Sequence, residues 1–156
     1  MEYHDLQALI WVQLARSHSE EVIGMTDELR ALVEQLKAVS HPLRLRVLAL
    51  LEPGELCVCQ VAEVLQVPQS SVSEALRELR RAGFLVERKD GRWVFMSVVP
   101  KKKASPLLKG LLTEAGALPA VQQDRARALE VKALSIPTVC SKVQKLSAAD
   151  QKPTHV

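Results

Sequence analysis

The chain has 156 residues, of which 47% are hydrophobic and 25% charged, with three cysteines and a formal net charge of +3. This length favours one domain with appended segments over a multidomain enzyme. No apolar run approaches the roughly 18 residues needed to span a bilayer, and the first residues lack the order of a signal peptide, so we expect a cytoplasmic protein and no membrane partner. Three cysteines are too few for a disulfide scaffold, and a reducing compartment would keep them as thiols.

The first third of the chain has the periodicity of three helices. Residues 6–15 place apolar side chains at helical spacing and predict a short amphipathic helix. Thr26 is suited to be the N-cap of a second helix, because two acidic residues follow it and leucines and valines then recur on one face up to Val39. Pro42 can open a third helix that is apolar nearly all round, so this helix belongs in the core and His41 is a boundary residue.

The middle of the chain predicts a helix-turn-helix followed by a β-hairpin. Apolar spacing predicts a helix over residues 56–66, and a second helix starts at Gln69 or Ser70 and ends before Gly83. Residues 84–88 and 93–98 are rich in strand-forming side chains and flank an Asp-Gly pair, which predicts a hairpin with a tight turn. Helical stretches follow over residues 106–113 and 121–134, and the polar tail from about Ser141 is expected to be disordered.

Positive charge is concentrated in the second helix of this pair, the hairpin and the lysines beyond it. Residues 69–103 contain nine basic and four acidic side chains. Short polar side chains at the start of a helix can reach base edges in a major groove, and basic side chains nearby can contact phosphate. A lone charged helix is more often solvated surface, but the hairpin and the serine-rich start favour DNA binding. The candidate DNA-binding residues are Gln69, Ser70, Ser71, Ser73, Arg77, Arg80, Arg81, Arg88, Lys89 and Arg92.

Two of the three cysteines, Cys57 and Cys59, are separated by one residue at the start of the helix-turn-helix. Two thiols this close favour a ligand-controlled switch, since thiolates bind soft ions better than they bind Mg²⁺ or Ca²⁺. The dipole of the helix is expected to favour the thiolate form. On an ideal helix, residues two apart point about 200° away from each other. Ligand binding should therefore distort the start of the helix and tilt the DNA-reading helix packed on it.

Residues 36–98 resemble the ArsR/SmtB family of metalloregulatory repressors. The resemblance is carried by AVSHPLRLRVLALL, by ELCVC and by QVAEVLQVPQSSVSEALRELRRAGFLVERKDGRWVFMSV. It implies a mostly α fold with a small β-hairpin, namely a winged helix-turn-helix with extra N- and C-terminal helices. It also implies a homodimer that binds double-stranded operator DNA and releases it when an inducer binds. The ELCVC segment is similar to the arsenite-sensing branch, which implies As(III) or Sb(III) as the inducer at Cys57 and Cys59, with no organic cofactor.

The chain departs from many arsenical sensors at Gln60 and Ala62, where an acidic residue and a third cysteine occur in that branch. Cys140 is either the third ligand, from the same chain or from a partner, or a cysteine with no part in binding. The four histidines are scattered, and none falls in the region after the wing where zinc, nickel or cobalt sensors of this family keep paired ligands. A site of that kind is therefore not expected.

The elements divide the chain into three parts. We expect residues 1–25 to form an N-terminal helical extension and residues 26–118 to form the winged helix-turn-helix DNA-binding domain with dimerisation helices. Residues 119–156 are expected to form a C-terminal helical segment with a flexible tail. No motif of an enzyme active site is present, so no catalytic residue is expected. Two alternatives to a metalloid-responsive repressor stay open: a thiol redox sensor that regulates transcription, and a winged-helix module that binds protein partners.

Overall fold

Residues 26–149, which the computed structural model describes, form seven α-helices and one three-stranded sheet. The predicted helix over residues 6–15 lies outside this range, and no helix within it is long and apolar enough to cross a membrane. The strands are β1 (Leu56–Cys57), β2 (Leu85–Asp90) and β3 (Trp93–Val98), and a 3₁₀ helix spans Lys101–Lys103. The helices are α1 (Asp27–Val39), α2 (Pro42–Leu50), α3 (Val58–Leu65), α4 (Gln69–Arg81), α5 (Pro106–Gly116), α6 (Pro119–Lys132) and α7 (Ile136–Ala149).

Helix α1 crosses the boundary between two compact units, one ending at Glu34 and the other beginning at Gln35. Its start confirms the prediction, because Thr26 Oγ1 accepts a hydrogen bond from the backbone N–H of Leu29 at 3.4 Å. Within the second unit, the side-chain amide of Gln35 donates to the carbonyl of Ala82 at 3.4 Å. This bond attaches the last turn of α1 to the segment that follows α4.

Helix α2 lies in the core, as its all-round apolar sequence predicts. Pro42 occupies the first turn, and His41 Nδ1 accepts a hydrogen bond from the backbone N–H of Leu43 at 3.2 Å, so His41 is the N-cap. Val47 and Leu48 are completely buried. Burial of a side chain of this size contributes about 1.5–3 kcal/mol, so packing rather than helix propensity stabilises α2.

Helices α3 and α4 form the predicted helix-turn-helix. The turn between them includes Gln66, which has a left-handed backbone (φ +54°) and donates its side-chain amide to the carbonyl of Glu63 at 2.6 Å. Helix α4 begins at Gln69 and is followed by Gly83, whose φ of +81° lets the chain leave the helix, as predicted. Packing against α2 and α3 positions α4 through four buried side chains, Val72, Ala75, Leu76 and Leu79.

Strand β3 is the centre of the sheet, with β2 on one side and β1 on the other. The β2–β3 hairpin closes through a two-residue loop in which Gly91 has φ +56°, which confirms the predicted tight turn. Leu56 pairs with Met96 and Cys57 pairs with Phe95. The predicted helix over residues 56–66 was therefore wrong at its start: Leu56 and Cys57 are extended because β3 provides backbone hydrogen-bond partners, and α3 begins only at Val58.

Helix α6 is fixed to α2 and the loop after it by two arginine–carboxylate pairs. Arg46 binds the buried Asp124 through two hydrogen bonds, Nε–Oδ2 at 3.0 Å and Nη2–Oδ1 at 2.8 Å. Arg125 Nη2 contacts Glu52 Oε2 at 2.8 Å and the carbonyl of Ala49 at 2.9 Å. A bidentate arginine–carboxylate pair such as Arg46–Asp124 fixes orientation as well as position. Helix α6 therefore has its own attachment to the core.

Helix α7 was not predicted. The prediction of a disordered tail from Ser141 is wrong as far as residue 149, since the chain is helical over Ile136–Ala149. Val139 and Val143 are buried and Ile136 is partly buried, and α7 packs against α3. The spacing of these three side chains gives one apolar stripe, and this stripe stabilises a helix whose other faces are polar.

Candidate functional site

Cys57 lies at the junction of β1 and α3, where it is the N-cap residue of the helix. Its backbone is extended (φ −82°, ψ 163°), and only 2% of the residue is exposed. The backbone N–H of Cys57 donates to Oε1 of Gln60 at 3.0 Å. Gln60 thus takes the N3 position of a capping box, where Glu and Gln serve alike. This explains how a buried glutamine is accommodated where many arsenical sensors have an acidic residue.

Cys59 is the second residue of α3 and is 8% exposed. Because Cys57 precedes the helix and Cys59 lies within it, the two residues do not occupy one continuous helix. The predicted 200° separation of their side chains was therefore wrong.

Cys140 lies on α7, is partly buried, and packs against the core cluster that contains Cys57 and Cys59. The side chain of Cys140 is among the causes that raise the pKa of Cys57 and of Cys59. Within residues 26–149, no group of three His, Cys, Asp or Glu side chains already has the arrangement of a metal site. Cys57 and Cys59 nevertheless belong to the same core cluster, and Cys140 packs against that cluster.

Burial controls the ionisation of the two cysteines at the start of α3. Desolvation raises the pKa of Cys57 above its ordinary value despite backbone hydrogen bonds that act in the opposite direction. Desolvation, followed by the influence of the Cys140 side chain, raises the pKa of Cys59 to about 12. The expectation that the helix dipole would favour thiolates was wrong, because desolvation of the charged form outweighs it. Both groups are thiols at neutral pH.

An ion pair between a buried carboxylate and an exposed lysine joins α7 to α3. Glu63 lies one helical turn after Cys59, and its side chain is only 6% exposed, whereas that of Lys142 is 58% exposed. Oε1 of Glu63 accepts a hydrogen bond from Lys142 Nζ at 2.5 Å and lies 4.0 Å from Nη2 of Arg127 on α6. A buried carboxylate needs such a cation to offset its desolvation. Lys142 therefore helps to hold the turn of α7 that carries Cys140.

The thiol site is connected to the wing, which is the β2–β3 hairpin. Cys57 pairs directly with Phe95 on β3. Glu55, just before β1, accepts two hydrogen bonds from Arg88 of β2, at 2.6 Å from Nη2 and at 3.0 Å from Nε. The guanidinium of Arg88 also lies 4.6 Å from the centre of the Phe95 ring. A displacement of Cys57 would therefore be passed to the wing through both the backbone and this ion pair.

The predicted DNA-binding residues lie on α4 and the wing. At the start of α4, Ser70 and Ser73 are exposed and Gln69 and Ser71 are half-buried. The remaining six are exposed arginines and a lysine, namely Arg77, Arg80, Arg81, Arg88, Lys89 and Arg92.

Several of these basic side chains have partners within the chain. Arg80 joins α4 to the wing through Glu87 at 2.8 Å, and Arg81 contacts Glu78 at 3.0 Å. Arg92 lies over the Trp93 ring at 4.8 Å from its centre. Arg77 is 70% exposed, and its contact with Glu78 is long, at 3.8 Å. Arg77 is thus among the basic side chains on α4 with the most freedom to reach a phosphate or a base.

Comparison with known proteins gives the family. Residues 41–86 match the model of the arsR family of bacterial regulatory proteins. The chain is 35% identical over 92 residues to a transcriptional repressor SmtB homolog of Synechocystis, an alignment that covers 59% of this chain and 69% of that protein. The chain belongs to the ArsR family. It is a DNA-binding transcriptional repressor and not an enzyme.

Two further ArsR-family similarities concern an arsenical regulator and a solved structure. The arsenical resistance operon repressor of Escherichia coli is 38% identical over 69 residues, which are 44% of this chain and 59% of that protein. The crystal structure of NolR from Sinorhizobium fredii matches with a TM-score of 0.50 and 26% identity, covering 59% of this chain and 91% of that chain. The residues matched to the family model include Cys57 and Cys59, whereas Cys140 lies outside them.

Sequence reasoning missed the charged side chains near Cys57 and Cys59. Glu63 is the one acidic residue in the otherwise apolar or neutral run of α3, and a carboxylate in such a run needs a cation from another element. That signal was available in the sequence. The identity of the partner was not, because Lys142 is 79 positions further along the chain. The pairing of Glu55 with Arg88 likewise depends on β1, which was not predicted.

Proposed function

We propose that this ArsR-family repressor leaves its operator when As(III) or Sb(III) binds to the thiols of Cys57, Cys59 and Cys140. The observation that carries the proposal is the packing of Cys140, on α7, against the core cluster that contains Cys57 and Cys59 at the start of α3. Many arsenical sensors have their third cysteine at the position of Ala62. Here Cys140 of the same chain would supply that third thiol to the Cys-Val-Cys pair. The similarity to the arsenical resistance operon repressor of E. coli supports the same inducer.

The protonated state of the thiols favours a metalloid over a divalent cation. Arsenite is present in neutral water as As(OH)₃. Each thiol that binds it forms an As–S bond and passes its proton to a departing hydroxide, so three thiols and As(OH)₃ give three waters and no net proton. A divalent cation has no hydroxides to accept those protons, and each thiol must release its own to solvent. Raised pKa values at Cys57 and Cys59 therefore weaken divalent binding more than metalloid binding.

Coupling to DNA follows from the position of Cys57 in the sheet. Gathering three sulfurs around one ion moves β1 relative to α7, and β1 is hydrogen-bonded to β3 of the wing. The Glu55–Arg88 pair transmits the same movement to β2. The ligand thus favours a conformation in which the wing and α4 no longer match the DNA, which is how differential binding shifts an equilibrium between two states.

On the DNA, two α4 helices of a homodimer enter the major groove. Ser70 and Ser73 at the exposed start of α4 are placed for base edges, with Gln69 and Ser71 beside them. The arginines of α4 and the exposed Lys89 and Arg92 of the wing contact phosphates. Arg88, which is bonded to Glu55, combines phosphate contact with support of the wing.

Replacing Arg77 by alanine is expected to weaken operator binding about tenfold at low salt. A lost phosphate contact also reduces the dependence of log K on log salt concentration, by about one per protomer. Fluorescence anisotropy at several salt concentrations measures both effects. Lys145→Ala removes one exposed charge from α7 and is the matched control. Equal losses in the two variants would show that net charge alone, and not this position on α4, determines the affinity.

The proposed function is tested by adding arsenite to the repressor bound to fluorescent DNA from its own promoter region. Arsenite should release the wild type and leave the Cys57→Ser, Cys59→Ser double variant on the DNA. Zn²⁺ and hydrogen peroxide are added in parallel to test divalent and redox ligands. If arsenite released both proteins equally, the proposed switch would be wrong. Absence of binding to any DNA at low salt would contradict the assignment of α4 and the wing as the DNA-binding face.

A further inference from the structure

We propose that a cavity beside the wing binds a small organic anion. The lining of this wing-side cavity includes Val98 at the end of β3, Val99, Lys101 of the 3₁₀ helix, Lys109 of α5 and Arg125 of α6. Its volume is about 590 Å³, and cavities that bind small molecules usually have about 300–1,000 Å³. None of the lining residues is a cysteine, so the inference goes beyond the proposed function and does not rest on it.

The wing-side cavity has an excess of positive charge. Its charged lining residues are the cations Lys101, Lys109 and Arg125 and the carboxylate Glu52. Glu52 Oε2 already accepts a hydrogen bond from Arg125 Nη2 at 2.8 Å. Lys101 and Lys109 are exposed, and neither forms an ion pair with any residue that the structure describes. Two lysine charges are therefore left to attract a negatively charged ligand.

The guanidinium of Arg125 is held in place at the wall of the cavity. Its Nε and Nη2 donate to the carbonyl of Ala49 at 3.2 Å and 2.9 Å. A Cβ added to Gly116 would lie 3.3 Å from both Nη1 and Nη2, so the glycine leaves the space that the guanidinium occupies. Within residues 26–149, Nη1 has no hydrogen-bond partner. Arg125 thus has a fixed orientation and a nitrogen that can bind a carboxylate or a sulfonate.

The rest of the wall is largely apolar, which determines the class of anion. Val98, Val99 and Leu112 are half-buried, and Ala104 is buried. An inorganic anion such as phosphate would fill a small part of the cavity and leave these side chains in contact with water. An organic anion would cover them while its charged group meets the cations, and burial of apolar surface adds to its affinity. The lining therefore favours an acidic group on an apolar body.

The wing-side cavity is attached to both strands of the wing. Val99 follows β3 directly, and its backbone N–H donates at 3.0 Å to the carbonyl of the buried Phe84, the residue before β2. On α5, the half-buried Leu107 lies about 200° around the helix from Lys109. Pairing of α5 with a second copy through the face of Leu107 would therefore leave the cavity open. A ligand in the cavity would contact the end of the wing in the dimer as well.

The test titrates the full-length chain with two fluorescent probes of similar shape. The first, 8-anilinonaphthalene-1-sulfonate, is an organic anion, and the second, N-phenyl-1-naphthylamine, has the same rings without the sulfonate. We expect one sulfonate probe to bind per chain, at least about tenfold more tightly than the neutral probe, because only the sulfonate meets the cations. The titrations are run at about 0.15 M salt, where charges more than about 8 Å apart are largely screened.

Charge-reversal variants locate the site. Lys101→Glu and Lys109→Glu should each weaken the sulfonate probe at least about fivefold and change the affinity for the neutral probe less than about twofold. The matched control is Lys102→Glu, since Lys102 is an exposed neighbour of Lys101 that does not line the cavity. All three lysines are exposed, so the variants should fold as the wild type does.

Equal affinity for the two probes, equal effects of Lys102→Glu and Lys109→Glu, or binding of many probes without saturation would each overturn the proposal. Displacement of the sulfonate probe by phosphate at similar concentration would show a site for inorganic anions and would overturn the organic class. The Cys57→Ser, Cys59→Ser double variant should bind the sulfonate probe as the wild type does, and loss of binding there would contradict a site separate from the thiols. Failure of arsenite to release DNA leaves this site standing, and failure of the probe to bind leaves the proposed function standing.

Discussion

Replacing Cys140 by serine is expected to lower the affinity for arsenite by at least about 100-fold, while operator affinity without arsenite stays within about twofold. Loss of a group that merely supports a metal ligand already costs 10–100-fold, and Cys140 is proposed as a direct ligand. Serine is close in size to cysteine, so the packing of α7 on α3 is preserved. The residue lies on α7, away from the predicted DNA-binding residues of α4 and the wing.

Calorimetry measures the affinity, and quenching of Trp93 in the wing reports binding independently. The matched control is Ser141→Ala, a change at the next position on α7, where the side chain is exposed. Wild-type affinity in Cys140→Ser would show that Cys140 is not the third ligand. Weakened DNA binding in the same variant would show that α7 supports the DNA-binding conformation directly.

Between pH 6 and pH 8 the loss of protons from Cys57 and Cys59 is expected to raise the affinity for Cd²⁺ at least about 10⁴-fold, whereas the affinity for arsenite changes less than about tenfold. The pKa values of Cys57 and Cys59 are both raised, so both groups are protonated across this range. Each of these two thiols must lose a proton to bind Cd²⁺. The affinity for Cd²⁺ therefore rises about tenfold per pH unit for each of them. Higher pH therefore favours Cd²⁺ up to the pKa of the thiols. Arsenite takes up the thiol protons as water, so its affinity has no such slope.

Competition titrations at three pH values distinguish these outcomes. The Cys57→Ser variant loses one thiol and should lose about one unit of the Cd²⁺ slope. A flat Cd²⁺ profile would show that the thiols are already ionised in solution. An arsenite affinity that falls steeply as pH rises would show the same, because thiolates must take up protons from solvent to release the hydroxides as water. It would also remove the chemical reason for preferring a metalloid.

The helix-turn-helix and the wing were predictable because their signals are local. Pro42 and Thr26 mark helix starts, Gly83 marks a helix end, and Gly91 marks the hairpin, each within a few residues of the element it limits. Strand β1 was not predictable in this way. It has two residues and exists only because β3, some 40 positions later, pairs with it. Because β1 was missed, Cys57 was expected to be helical, whereas its backbone is extended.

The ionisation of the site was mispredicted for a related reason. A helix N-terminus favours a thiolate when it is partly exposed to solvent. Here α6 and α7 pack over α3, and the sequence of residues 56–66 says nothing about that covering. Helix α7 itself was missed because three apolar side chains in a polar segment resemble the composition of a disordered tail. The packing of Cys140 against the cluster of Cys57 and Cys59 is therefore a tertiary property.

The α6–α7 hairpin has an attachment to the core that does not involve Cys140. Arg46–Asp124 and Arg125–Glu52 anchor α6 to α2 and the loop after it. The hairpin also lies outside the residues matched to the family model. A substitution at position 140 is therefore expected to leave α4 unchanged. Under the proposed function, a histidine or an aspartate at this position would offer a harder donor, so that metal preference would be adjusted on one hairpin and promoter choice on another element.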